Sequence, residues 1–89
     1  MPTVHIKVRG KVQGVFYRAT AKEAADRLGI KGWVRNTEEG DVELMAGGSN
    51  EALQSFIDWC RQGPKGAVVQ DVFIISEDEA SFEDFRVIR

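Results

Sequence analysis

The chain has 89 residues, 43% of them hydrophobic and 29% charged, which is enough for one compact core and too few for two domains. Its 12 basic and 14 acidic residues give a net charge of −2, so no overall field draws it to nucleic acid or an anionic membrane, and any anion recognition has to be local. The single cysteine excludes an internal disulfide and a Cys-x-x-Cys metal or redox motif. No run of about 18 apolar residues exists, and the sequence opens directly on strand-like alternation. Neither a membrane span nor a signal peptide is expected, and the cytoplasm is the default compartment.

In chain order, residues 3–9 alternate, with Val4, Ile6 and Val8 on one face and His5, Lys7 and Arg9 on the other. That pattern predicts a strand with one buried face, His5 lying on the less covered side. Gly10-Lys11-Val12-Gln13-Gly14-Val15-Phe16-Tyr17-Arg18 follows as a glycine-flanked loop that runs into the first turn of a helix. Tyr17, Ala21, Ala24, Ala25 and Leu28 make a helical stripe of mostly small residues, suited to lying close on a sheet, with Gly29 as a left-handed cap.

Ile30–Asn36 and Asp41–Ala46 read as two strands of a hairpin around Thr37-Glu38-Glu39-Gly40. Gly47-Gly48 breaks the second strand, and Ser49 or Asn50 caps a second helix with Leu53, Phe56, Ile57 and Cys60 inward. Cys60 therefore reads as a small core residue, and Gly63-Pro64 terminates the helix. Ala67–Ser76 should form a strand with a bulge near Gln70-Asp71, because Val69, Val72 and Ile74 do not keep one parity. Glu77–Ser81 reads as an acidic turn, and Phe85–Ile88 as a short closing strand.

This order predicts an α+β chain, a ferredoxin-like βαββαβ sandwich whose mostly antiparallel sheet carries two helices on one face, plus a short C-terminal strand. In that topology the first two strands run parallel with the third between them, so their carboxyl ends share one sheet edge. The 10–18 loop leaves one end and Asn36 stands at the other, roughly 10 Å away across two strand spacings. No Ser, Asp or Asn stands directly before the first helix to occupy its free amides. Those amides, the helix dipole and the planar fork of Arg18 propose an anion site, with the Asn36 carboxamide beside it. Mid-strand, Trp33 reads as a packing residue.

The loop motif just quoted, together with Gly32-Trp33-Val34-Arg35-Asn36-Thr37-Glu38-Glu39-Gly40-Asp41-Val42 and the later Gly48, resembles the acylphosphatase family in motif, spacing, length and element order. The resemblance covers the whole chain, residues 1–89, as one domain. It implies a metal-independent hydrolase of the carboxyl–phosphate bond of acyl phosphates, with no cofactor. It further implies a phosphate-binding loop of Lys11, Val12, Gln13, Gly14, Val15, Phe16, Tyr17 and Arg18, in which Arg18 binds the phosphate and Asn36 orients the attacking water. Tyr17 departs from the Phe or Met common in the family, and its hydroxyl needs a partner inside the fold.

The residues themselves set limits on this chemistry. The loop holds no Ser, Cys, His or Asp, which argues against a covalent phosphoenzyme, and no His-rich cluster suggests a metal. No protein base is identifiable, so the substrate's own phosphate is the candidate proton acceptor. An RNA-recognition module on the same fold would need exposed aromatics on its central strands, and Val4–Val8 and Asp41–Ala46 carry none. A non-enzymatic acyl-phosphate or phosphate sensor would use the same Arg18 and amides and stays open at this level. The expected partners are a small-molecule acyl phosphate and inorganic phosphate as product and inhibitor, with no nucleic acid or membrane partner and a monomeric state.

Overall fold

The computed structural model describes residues 1–89. Five strands and two helices follow in the order β1 (Pro2–Lys11), α1 (Tyr17–Leu28), β2 (Lys31–Asn36), β3 (Val42–Gly47), α2 (Asn50–Gln62), β4 (Val68–Glu79) and β5 (Phe85–Ile88). The strands form one sheet of order β4-β1-β3-β2-β5. β3 is antiparallel to both β1 and β2, so β1 and β2 run parallel, and β5 pairs in parallel with β2. This is the ferredoxin-like α+β sandwich with an added edge strand.

The alternation read from β1 is realised in three dimensions. Val4, Ile6 and Val8 are buried with Val34, Val42, Leu44, Ala46 and Phe85 beneath the two helices. Each larger side chain so covered contributes about 1.5–3 kcal/mol relative to exposure. The small stripe of α1 buries Ala21, Ala24 and Ala25, while α2 contributes Leu53, Phe56 and Cys60. Ile57 is only partly covered and packs at the margin of this core. Ser49 is the cap of α2, its hydroxyl accepting from the Ala52 amide at 3.1 Å.

On the other sheet face, His5 is half-buried and hydrogen-bonded to Glu43, which also accepts from Arg35 Nε at 2.6 Å. Partial burial pushes the Glu43 carboxyl up, but the His5 and Arg35 contacts outweigh it and hold the group below the usual range. A depressed carboxylate stabilises the fold fully above its ordinary pKa and loses that contribution as pH falls through the folded value. Trp33 lies on this face beside His5, ring centroids 6.4 Å apart, and not among the residues that line the cleft described below.

Two strands run well past their expected ends, while the other strand boundaries shift by a single residue, Gly47 closing β3 instead of breaking it. β1 does not stop at residue 9: Gly10 and Lys11 continue it, paired with Val69 and Val68. Gly10 sits at φ 136°, and a Cβ there would lie 2.1 Å from the Val68 carbonyl oxygen. Its glycine therefore serves a close strand crossing, and the loop proper begins at Val12. β4 likewise runs on to Glu79, so Glu77, Asp78 and Glu79 are strand residues opposite Val4, Thr3 and Pro2 instead of a turn. The ladder uses backbone groups alone, while the acidic side chains stay exposed.

The bulge expected near Gln70-Asp71 is present, since Arg9 pairs with Asp71 and Gly10 with Val69, leaving Gln70 over. A second irregularity lies at Ile75, between the Ser76 and Ile74 pairs. Each extra residue reverses the facing of those beyond it, which accounts for the broken parity of this strand.

Candidate active site

The segment between β1 and α1 is built from residues with separate tasks. Val12 is fully buried and anchors the start of the loop, and Val15 packs against the core. Gln13 reaches across to the β2–β3 hairpin, where its Nε2 donates to the Thr37 and Asp41 carbonyls, each at 2.8 Å. The hairpin is closed on itself by Thr37 N–H to Asp41 O at 2.9 Å and by the Asp41 amide donating to Thr37 Oγ1 at 3.1 Å. One glutamine thus locks the loop to the strand end that carries Asn36. Gly14, at φ 75°, has open space where a Cβ would stand, so it is the backbone conformation that favours glycine there.

Phe16 occupies the N-cap position of α1 in the left-handed region, φ 62° and ψ 25°, with no side-chain cap. Thr20, the one aliphatic hydroxyl in the first turns, donates back to the Phe16 carbonyl at 2.8 Å and so does not cap the helix. None of the ten backbone hydrogen bonds made outside helices and strands is donated by residues 12–18. The positive end of the α1 dipole is therefore open toward the loop, and no acidic residue lies in the first turn.

Tyr17 is buried, and its hydroxyl donates to the Cys60 carbonyl at 2.8 Å. That carbonyl belongs to the last turn of α2, where helix oxygens lack an intrahelical partner. The departure at this position is thereby resolved, and the bond ties the site end of α1 to the end of α2. A buried hydrogen bond of this kind contributes about 1 kcal/mol net. Burial pushes the Tyr17 phenol above its ordinary value and the Cys60 thiol up to about 12, so Tyr17 stays a donor and Cys60 offers no thiolate.

Arg18 is half-buried, and its Nη1 donates to the Ile88 carbonyl in β5 at 3.2 Å. A cleft of about 220 Å3 opens here, lined by Val12, Gly14, Phe16, Tyr17, Arg18 and Asn36. The arginine and the asparagine named from sequence therefore meet in one cleft, at the shared carboxyl edge of β1 and β2. Lys11, Gln13 and Val15 do not line it: Lys11 is an exposed strand residue, Gln13 bridges to the hairpin and Val15 faces the core. Sequence reasoning missed the support of Arg18 by Ile88 and the bracing role of Gln13. A carboxamide in an otherwise apolar and glycine-containing loop was the one available signal for the latter.

Fold and cleft together define a class, a ferredoxin-like sandwich with an arginine–asparagine cleft beside an uncapped helix start. Residues 4–87 match the family model described as Acylphosphatase. An acylphosphatase of Gloeobacter violaceus is 48% identical over 85 residues, covering 96% of this chain and 91% of the relative. One from Syntrophus aciditrophicus is 45% identical, covering 99% and 93%. The crystal structure of acylphosphatase from Bacillus subtilis superposes with a TM-score of 0.95 at 33% identity over the full length of both chains. The chain belongs to the acylphosphatase family and is a hydrolase of that kind. No helix is long and apolar enough to cross a membrane.

Proposed function

We propose that this chain hydrolyses acyl phosphates to a carboxylate and inorganic phosphate without a metal, with Arg18 and the loop amides holding the phosphoryl group and Asn36 orienting the attacking water. The observation that carries this reading is the meeting of Arg18, Asn36 and the uncapped start of α1 in one cleft. The water oxygen attacks phosphorus as the bond to the acyl oxygen breaks, and the carboxylate leaves with the electron pair. The water's proton passes to a phosphate oxygen of the substrate. Charge spreads over the equatorial oxygens in the loose transition state, where the guanidinium fork and amides meet it. A carboxylate leaves readily, so holding and orientation suffice, and no side-chain base or nucleophile takes part. The working form we propose is a monomeric, single-domain enzyme of the cytoplasm.

Release of inorganic phosphate from benzoyl phosphate by the purified protein tests the activity, and separates an enzyme from a phosphate sensor on the same site. Inorganic phosphate and sulfate should bind the free protein and compete with substrate. Binding to the folded state alone raises stability by about 2.7 kcal/mol at about one hundred times the dissociation constant. Melting curves with and without phosphate, repeated in a chelator, measure this. Arg18→Ala should remove most of the shift, while Arg61→Ala, a change in the last turn of α2, should retain it. A shift and an activity that both vanish in the chelator would contradict metal independence.

A further inference from the structure

Phe16 is the one non-glycine residue of the chain with positive φ, and it is 81% exposed. A bulky residue in the left-handed region is strained, and backbone strain of this kind clusters at functional sites. An exposed aromatic ring adds a second cost, and neither is repaid by packing within the protein. Both fall on a residue that lines the cleft. Its apolar neighbours there, Val12 and Tyr17, are buried at 1% and 2% exposure, so Phe16 alone offers the cleft a large apolar surface open to solvent.

We propose that Phe16 is the contact for the acyl group and that the chain favours acyl phosphates whose acyl part is aromatic, an inference that rests on the acyl-phosphate reading of the cleft. In-line displacement places the leaving carboxylate opposite the attacking water. With the phosphoryl group held by Arg18 and the water at Asn36, the acyl group extends away from Asn36 toward the open rim. An acetyl group ends one methyl beyond its carboxyl carbon and offers little to a ring. A benzoyl group carries its own ring outward, where it can stack on Phe16 in an offset or edge-to-face arrangement. The left-handed backbone at the N-cap of α1 fixes the direction in which the side chain leaves the chain.

The test compares benzoyl phosphate with acetyl phosphate in the unaltered protein, Phe16→Gly and Phe16→Trp. Glycine accepts the same φ, so that change removes the ring while allowing the left-handed turn, and the rate on acetyl phosphate controls for any loosening of the loop. The ratio of kcat/KM for benzoyl over acetyl phosphate should fall about 2- to 12-fold in Phe16→Gly, the range an aromatic pair spans. The loss should appear chiefly in KM for benzoyl phosphate, because the ring contact is made in ground and transition state alike. Phe16→Trp should keep the preference. An unchanged ratio in Phe16→Gly, with the unaltered protein active on both substrates, would overturn the inference and leave the acylphosphatase reading standing. Failure of the unaltered protein to hydrolyse either substrate would overturn that reading and the inference with it.

Discussion

Arg18→Ala is expected to lower turnover of benzoyl phosphate by about 10²–10³, the loss of roughly 3–4 kcal/mol that follows removal of a single preorganised donor to transition-state charge. Arg18→Lys should recover little of it. A guanidinium presents parallel donors in a rigid plane, matched to two phosphate oxygens at once, whereas an ammonium is a point charge on a flexible stem. The setting makes the difference larger. Arg18 spends Nη1 on the Ile88 carbonyl at 3.2 Å, and its remaining donors stay available to the cleft. Lysine concentrates its three donors on one nitrogen, which cannot sit at the Ile88 carbonyl and at two phosphate oxygens in the positions the guanidinium fork reaches. The measurement is kcat/KM for both variants, with urea unfolding to show that they remain folded. Turnover near that of the unaltered protein in Arg18→Lys would remove the two-pronged contact from the mechanism.

Asn36→Ala should lower kcat by a comparable factor of about 10²–10³, by analogy with the loss of an oriented amide donor, while inorganic phosphate still binds. The split follows from the division of the cleft. In the proposed mechanism the anion is held from the loop side, by Arg18 and the start of α1, while Asn36, at the end of β2, acts through the water. An interaction made only in the transition state changes kcat and kcat/KM together and leaves ground-state binding in place. Phosphate titration by melting shift, run beside steady-state kinetics, reads both quantities on one sample. Weakened phosphate binding with an unchanged kcat would reverse the assigned roles.

The parts of this fold that were legible before any coordinates are those where side-chain type reports burial. Val4, Ile6 and Val8 alternate because one sheet face is covered, and Ala21, Ala24 and Ala25 are small because α1 lies close on it. The unreadable parts are those in which the backbone does the bonding. Glu77–Glu79 looks like a solvated turn, yet an edge ladder asks only for amides and carbonyls. Gly10 looks like the first residue of a loop, but its missing side chain is required by the Val68 carbonyl across the strand pair. The site divides in the same way. Arg18 and Asn36 carry their chemistry in their identities, whereas the Ile88 carbonyl that steadies Arg18 has no signature in residue type. Gln13 lies between, its carboxamide visible but its partners, the Thr37 and Asp41 carbonyls, again anonymous.

The bond from Arg18 to Ile88 spans 70 residues of chain and lands on a four-residue strand at the edge of the sheet, hydrogen-bonded in the sheet only to β2. A short edge element opens at lower free energy than the buried centre of a fold, and a contact of such separation is late to form because its loop must close first. With Arg18 as the proposed phosphate ligand, activity depends on the free end of a short edge strand. In mild denaturant, fraying of the Ile88 end of β5 releases the arginine's support, while Phe85 at the other end of the strand stays buried and packed edge-on against Phe56. Enzyme activity in a urea titration is therefore expected to fall at a lower concentration than the tryptophan fluorescence that reports on Trp59 in the core cluster.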